Sequence, residues 1–213
     1  MSVTEQEAAP AVAGRPERTL AYRVIGIRDR VRAGGAGRGV LSAVAAGIHP
    51  MTEAGAFPYT EAALSGLSVS QRVGARRAAA MIAVHRDARA TSEGHTPIGS
   101  TLRSLHAKAH SSWPGDVDGK SVPKRTAMSM SVDSLPLLDV DNAAQVISGL
   151  VGRCAQHGIP VDFASLATTL TFWGDGLSSK SRSHRAKVVQ DFYGLSDRRD
   201  HATSATTPAA AAQ

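Results

Sequence analysis

Apolar residues recur along this chain at intervals of three and four, which is the period of an α-helix. A first helix is predicted over residues 18–32 and ends at the glycine pair that follows it. Its apolar stripe consists of Leu20, Val24, Ile27 and Val31. A second, shorter helix has Val40, Leu41, Val44 and Ile48 on its apolar side. Pro50 stops it, because proline cannot continue a helical hydrogen-bond ladder.

The middle of the chain predicts further helices separated by turns. Residues 51–58 are predicted as a loop, and residues 59–67 as a short helix. A longer helix is predicted over residues 70–90, with Ser68 or Ser70 as its N-cap and Arg77 interrupting its apolar face. Thr96 is predicted to cap another helix that Pro97 opens, and Ile98, Leu102 and Leu105 form its stripe.

Three C-terminal helices have the clearest start and stop signals. Asp141 is predicted to cap the first, which ends at Gly158, and Asp162 to cap the second, which ends at Gly174. Their buried faces are predicted to contain Ala143, Ile147, Leu150, Val151 and Cys154, then Phe163, Leu166, Ala167, Leu170 and Trp173. The last helix, over residues 178–193, buries Val188, Val189 and Phe192. Met128, Met130 and Val132 alternate, which fits a strand or a helix; we favour a helix.

These patterns predict an all-α fold, a two-lobed helical bundle, because no sustained two-residue alternation is flanked by turn residues. The predicted parts are a disordered lead (1–17), an N-terminal helical lobe (18–110), a loop (111–123), a C-terminal helical lobe (124–194) and a disordered tail (195–213).

Composition narrows the possible partners. The 213 residues carry a formal net charge of +6, which favours a polyanionic partner such as nucleic acid. A single cysteine excludes an internal disulfide, and no apolar run approaches the roughly 20 residues of a membrane span. The first ten residues lack the apolar run of a signal peptide. We therefore expect a cytoplasmic protein that does not associate with a membrane.

Motifs that could carry chemistry each have a simpler explanation. His106 and His110 have zinc-ligand spacing, but position 107 is Ala and no third ligand is evident, so a solvated helix end is favoured. The glycine-rich stretch over residues 34–39 follows a helix and not a strand, which favours a helix-to-helix turn. Cys154 lies on an apolar stripe and is predicted to be core. We predict no catalytic residue, no metal site and no cofactor.

Basic residues form three separated runs. Seven arginines lie between Arg15 and Arg38, seven basic residues between Arg72 and Lys108, and four, without an acid, between Lys180 and Lys187. One such run usually marks a solvated face, but three on different helices would form one positive track if those helices pack side by side. Such a track would bind phosphate backbones with little regard to sequence. Aromatic residues make up only 4% of the chain, which argues against a base-stacking platform.

The C-terminal pattern also resembles a known family. G-I-P-V-D-F-A-S-L-A-T-T-L-T-F-W over residues 158–173 and R-A-K-V-V-Q-D-F-Y over residues 185–193 are similar to the C-terminal signature of the CasB family. These proteins are the small subunits of Cascade, the type I-E CRISPR effector complex. P-I-G-S-T-L-R-S-L (97–105), V-P-K-R (122–125) and the arginine-rich first helix occur in the order typical of that family.

The resemblance implies a non-catalytic subunit that is paired with a second copy of itself in Cascade. It implies that the protein contacts other Cascade subunits, the crRNA and the target DNA, and that it stabilises the R-loop by holding nucleic-acid backbones. The nucleic-acid-binding residues expected from the resemblance and from the last basic run are Arg30, Arg32, Arg38, Arg103, Lys124, Arg125, Arg153, Lys180, Arg182, Arg185 and Lys187. The alternative is a basic all-α scaffold that binds only protein partners.

Overall fold

Helices dominate the part of the chain that the structure, a computed structural model, describes: residues 15–91, 96–111, 125–176 and 178–195. The α-helices there are α1 (Pro16–Arg32), α2 (Arg38–Ala45), α3 (Phe57–Thr60), α4 (Val69–Val84), α5 (Ile98–His110), α6 (Ala127–Ser134), α7 (Val140–Gln156), α8 (Phe163–Trp173) and α9 (Ser179–Phe192). Short 3₁₀ helices span Ala46–Ile48, Glu53–Ala56, Glu61–Leu64 and Leu135–Leu137.

The all-α fold class is confirmed. Within the described ranges the only β-type pairing is an isolated parallel bridge between Ala90 and Val161. None of the described helices is both long and apolar enough to cross a membrane. Most of the predicted lead, loop and tail, namely residues 1–14, 112–123 and 196–213, lies outside the described residues.

Helices α4 and α8 pack closely at the centre of the molecule. Gly74 on α4 makes this possible, because a methyl group at that position would overlap the carbonyl oxygen of Leu170 on α8. On α4, the ten residues from Gly74 to Ala83 are all buried. Trp173, at the end of α8, is fully buried and its indole N–H donates to the carbonyl oxygen of Leu138 at 3.1 Å.

One hydrophobic core joins the helices of both predicted lobes. It includes Leu20 and Met81 from the N-terminal half together with Leu166 and Phe192 from the C-terminal half. Helix α1 packs on α4 and α8, and α5 packs on α9. The lobe boundaries stay a prediction, but the packing makes the described helices of the two halves depend on each other.

Most predicted apolar stripes are buried as expected. The predictions are wrong more often about where a helix begins or ends. The predicted loop over residues 51–58 contains a 3₁₀ helix and the first residues of α3, and α4 ends at Val84 and not at residue 90. Helix α1 begins two residues early, at Pro16. Thr96 does not cap α5; its backbone N–H donates to Asp162 Oδ2 at 3.2 Å.

The sequence predicts Asp141 as the N-cap of α7, and this is wrong, because the N-cap lies two residues earlier. Asp139 is the N-cap and accepts the backbone N–H of Asn142 at 2.8 Å. Asp141 instead accepts Arg77 Nε at 2.7 Å. Because the Arg77 side chain is only 1% exposed, its charge needs acceptors within the protein, and the partly exposed Asp141 supplies one of them.

Caps at Ser68 and Asp162 are confirmed. Ser68 forms a capping box with Gln71, and Asp162 accepts the backbone N–H of Ser165 at 2.9 Å. The alternating methionine segment is helix α6, in which Met128 and Val132 are buried while Met130 is exposed.

Candidate nucleic-acid interface

The first basic run lies mainly on the solvent side of α1. The apolar stripe of this helix is buried, whereas Arg15, Arg23 and Arg30 are exposed, as is Tyr22. At 1.5 Å per residue, Arg15 and Arg30 are separated by about 22 Å along the axis. Cations therefore occur at both ends of α1 and near its middle.

Arg28 is the exception in this run. Its side chain is 2% exposed, and its Nη1 donates to the carbonyl oxygen of Ala88 at 2.9 Å. Its guanidinium also lies 5.6 Å from the centre of the Phe163 ring. Arg28 thus ties α1 to the segment after α4 and to α8, and its charge is directed into the protein.

Part of the second basic run is also directed inward. Arg77 pairs with Glu53 and Asp141, and it donates to the carbonyl oxygen of Gly47. Arg76 forms ion pairs with Glu53 and Glu61, and Arg72 with Glu61 at 3.2 Å. These three arginines hold the segment before α4 against that helix. Arg77 also holds α7 there, through Asp141. This run therefore contributes fewer solvent-facing cations than its sequence suggests.

The third basic run, on α9, is divided between two sides of the helix. Lys180, His184 and Lys187 share one side, as their spacing predicts. Lys180 Nζ lies 3.6 Å from the centre of the Phe172 ring, and the His184 ring stacks on Phe172 with centroids 4.9 Å apart. Phe172 therefore holds both side chains in place.

Arg185 has a set of partners inside the protein. Its guanidinium donates to the carbonyl oxygens of Pro136, Leu138 and Trp173 at 3.0–3.2 Å. It also lies 5.3 Å from the Trp173 ring. These contacts join α9 to the end of α8 and to the segment before α7. Arg182, in contrast, is exposed.

A cleft of about 350 Å³ brings the first and third basic runs together. Arg15 and Arg18 line it from the start of α1, and His184 and Lys187 from α9. We call this cavity, with these four residues and the neighbouring Lys180, the cationic cleft. Lys187 Nζ also pairs at 3.1 Å with the buried Asp191, which orients the lysine.

The electrostatics of His184 support this convergence. Burial lowers the pKa of His184 below its ordinary value, and the positive charges of Lys180, Arg15 and Lys187 lower it further. Two of these cations lie on the same helix as His184, while Arg15 is the N-cap residue of α1. The positive potential at the imidazole is therefore produced jointly by two helices.

Three predicted binding residues surround the turn between α1 and α2. Arg30, Arg32 and Arg38 are all exposed there. The prediction of a helix-to-helix turn is confirmed at Gly37, which has a φ of 124° and packs so closely on Ile27 that a side chain would collide with it. This turn group (Arg30, Arg32 and Arg38) lies at the opposite end of α1 from the cationic cleft.

The remaining predicted residues do not join these two groups. The Arg103 guanidinium lies against Gly194, beyond the end of α9. Arg125 is close to Tyr193. Burial and Asp133 raise the pKa of Tyr193 to about 12, and the positive charge of Arg125 acts in the opposite direction. Arg153 is half-buried on α7, and Lys124 lies outside the described residues.

Arg15 and Arg18 line the cleft but are absent from the predicted binding residues. The sequence did contain a signal for them, since Pro16 and Glu17 are typical of a first helical turn. An earlier start for α1 would have placed both arginines on an ordered helix end. Their proximity to α9, however, depends on packing between distant segments.

Cys154 and His106, which the sequence analysis considered for chemistry, are both buried in the protein. Cys154 is fully buried, and burial raises its pKa to about 11, which confirms its predicted core position. His106 is not solvated as predicted. It is 4% exposed, lies 3.2 Å from the Thr126 hydroxyl and packs edge-on against Phe192. Among the described residues, no group of three or more His, Cys, Asp or Glu side chains could hold a metal ion.

Comparison with known families decides the identity. A family model described as CRISPR-associated protein Cse2 matches residues 41–193. The chain belongs to the Cse2 family. Cse2 is the CasB protein of type I-E systems, so the resemblance to the CasB family is confirmed. As a Cse2-family protein, the chain is a Cascade subunit in CRISPR defence.

A structural comparison agrees with this family. The fold is similar to the crystal structure of a Cse2-family CRISPR-associated protein from Thermus thermophilus, with a TM-score of 0.55 and 18% sequence identity. The match covers 82% of this chain and 97% of the other. A comparison with curated proteins finds no match.

Proposed function

We propose that this Cascade subunit is a non-catalytic protein that holds nucleic-acid backbones and so stabilises the R-loop. Its ligands would be the crRNA–target duplex and the displaced DNA strand, and it would act beside a second copy of itself and the other Cascade subunits. The observation that carries the proposal is the convergence of α1 and α9 cations at the cationic cleft. Guide pairing reads the sequence in such complexes, so a subunit that recognises only phosphates is sufficient.

Burial lowers the pKa of His184, and the charges of Lys180, Arg15 and Lys187 lower it further, because like charges brought together in a folded protein repel one another. A polyanion relieves the repulsion, and its binding is further favoured by the release of condensed counterions. The exposed cations of α1 extend the same positive surface over about 22 Å. A single strand carries one phosphate per 3.4 Å of helix axis, so this face spans about six phosphates.

The test is the lifetime of the R-loop in Cascade assembled with variants of this chain. Arg15→Glu with Lys180→Glu reverses two exposed cleft cations, and we expect R-loop dissociation to become at least about tenfold faster. The Arg185 guanidinium is left intact, because reversing its charge would disrupt contacts to three carbonyl oxygens and confuse folding with binding.

Arg86→Glu with Arg89→Glu is the matched control, since it likewise reverses the charge of two exposed basic residues, and these lie outside the cleft. Incorporation of each variant into Cascade is checked by mass spectrometry of the purified complex. An R-loop lifetime that is unchanged in the cleft variant, or reduced equally in the control, would contradict the proposal.

The second candidate is a basic scaffold that contacts only proteins. It is considered because three apolar side chains are strongly exposed: Met51 at 93%, Leu137 at 86% and Val69 at 80%. Such residues are typical of protein contacts when they form a patch. A salt titration of the full chain with DNA and RNA separates the two functions, because a scaffold would show no affinity for either nucleic acid at low salt.

A further inference from the structure

The cationic cleft has two chemically different kinds of lining. Arg15, Arg18 and Lys187 supply positive charge, which the buried Asp191 carboxylate paired with Lys187 partly balances. Pro97 and Ile98, at the start of α5, and Val188 on α9 supply an apolar wall. A charged edge beside an apolar wall matches a nucleotide, which has a phosphate at one end and a flat, largely apolar base at the other.

Close packing of α5 on α9 forms the apolar wall. Gly99 allows it, because a side chain there would overlap the carbonyl oxygen of Val188 and the Cβ of Asp191. Helix α8 also lines the cleft, and there the Thr169 hydroxyl donates to the carbonyl oxygen of Ser165. The Thr168 hydroxyl shares its proton between the carbonyl oxygen of Ala164 and Glu17 Oε1. With their protons engaged, these hydroxyls offer oxygen lone pairs, which can accept hydrogen bonds from the amino and imino groups of a base.

We propose that the cationic cleft takes one unpaired nucleotide of a single strand, with its phosphate between the α1 and α9 cations and its base against the apolar wall. The proposal rests on the backbone-binding function proposed above and adds a preference for single strands. The volume of about 350 Å³ falls in the range of roughly 300–1,000 Å³ that small-molecule sites occupy. The ring of His184, fixed on Phe172, adds an aromatic group to the lining.

A duplex is excluded from this mode of binding because its bases are stacked and paired. To place one base in the cleft, a duplex would have to flip a nucleotide out, which costs a few kcal/mol. A single strand pays no such cost at an unstacked position. The cleft therefore distinguishes strands by their pairing state, which the exposed cations alone cannot do.

The first experiment uses the unmodified full chain and three fluorescent probes of equal length: single-stranded oligothymidylate, the same oligomer with abasic residues throughout, and a duplex. We expect oligothymidylate to bind about tenfold more tightly than the abasic strand, since the latter keeps the phosphates and loses the bases. Equal affinities for the oligothymidylate and abasic strands would overturn the nucleotide site, while leaving backbone binding intact.

The second experiment fills the cleft without changing its charge. Ser165 lines the cavity from α8 and is partly exposed, so Ser165→Phe places a ring in the space assigned to the base. We expect this variant to bind oligothymidylate only as tightly as the abasic strand. Ser165→Ala is the control for the lost hydroxyl and should keep the preference for oligothymidylate.

These variants separate the nucleotide site from the proposed function. Loss of all binding in Arg15→Glu/Lys180→Glu, together with an unchanged preference in Ser165→Phe, would support backbone binding and overturn the nucleotide site. Loss of the preference in Ser165→Phe, with abasic binding preserved, would support it. Circular dichroism melting of each variant ensures that folded proteins are compared.

Discussion

At the scale of single residues, burial decides what each arginine does. Arg28, Arg77 and Arg185 direct their guanidinium groups at carbonyl oxygens or carboxylates inside the protein. Arg15 and Arg30 are exposed and remain able to meet an external anion. The sequence separates these classes only in part. Arg77 interrupts an apolar stripe and so signals burial, whereas Arg28 belongs to a run of neighbouring arginines whose other members are mostly exposed.

Replacement of Arg28 should cost substantial stability without affecting exposed charge. Arg28→Ala leaves the carbonyl oxygen of Ala88 without its donor and opens a cavity beside Phe163. We expect the free energy of unfolding to fall by about 2–4 kcal/mol. Arg23→Ala, on the exposed face of the same helix, should change it by less than about 0.5 kcal/mol. Urea denaturation of both variants makes the comparison, and equal effects would show that the Arg28 contacts do not stabilise the fold.

His184 should make stability depend on pH. Its pKa in the folded protein is lowered, first by burial and then by nearby cations, so the unfolded chain binds the proton more readily. Stability is therefore complete above the ordinary histidine pKa of about 6.5 and decreases as the pH falls below it. His184→Gln should weaken this dependence between pH 7.5 and 5.5 in urea denaturation.

His85, whose pKa is also lowered by burial, should account for part of the pH dependence that remains in the variant. A dependence that is unchanged in the variant would contradict the role of His184.

At the scale of helices, the sequence predicts most elements because each carries its own signals. The buried stripe of α1, the cap at Asp162 and the glycine after α7 are all local features. Errors occur where a distant residue intervenes. Asp141 resembles a cap, but Arg77, which is 64 positions away in sequence, binds it, and Asp139 caps α7 instead. Local patterns cannot reveal such a partner.

Two helical glycines should respond oppositely to alanine. Gly74→Ala would push a methyl group into the Leu170 carbonyl, so α4 and α8 must separate. We expect a loss of at least about 3 kcal/mol in the free energy of unfolding, or failure to fold. Gly149, on the exposed side of α7, has no atom near its missing side chain, and Gly149→Ala should raise stability by about 0.5–1 kcal/mol. Thermal melts of the two variants test the pair. Similar behaviour would mean that helix propensity and not close packing governs both positions.

At the scale of the whole molecule, the sequence predicts positive charge but not where that charge converges. All three basic runs are present, yet three of the seven basic residues of the second form internal ion pairs with Glu53, Glu61 and Asp141. The first and third runs meet because α1 and α9 both pack against α8. That arrangement depends on tertiary packing, which is why Arg15 and Arg18 are absent from the predicted site.

The cationic cleft and the turn group lie at opposite ends of α1, about 22 Å apart. This distance exceeds the Debye length of about 8 Å at physiological salt, so the two groups should act independently on a bound backbone. Arg15→Gln/Lys180→Gln alters the first group, and Arg30→Gln/Arg32→Gln the second. Each pair should lower the slope of log affinity against log salt by about 1.4 for a single strand, because each neutralised phosphate of a single strand contributes about 0.7.

If one strand contacts both groups at once, the losses in log affinity for that strand should add when the four substitutions are combined. Binding of the full chain to a single strand of about 12 nucleotides, measured by fluorescence anisotropy at several salt concentrations, gives all the slopes from one probe. Arg86→Gln/Arg89→Gln is the control and should leave the slope unchanged. A combined variant no weaker than the cleft variant alone would mean that the turn group does not contact the strand, and the nucleic-acid interface would then be restricted to the α1–α9 end of the molecule.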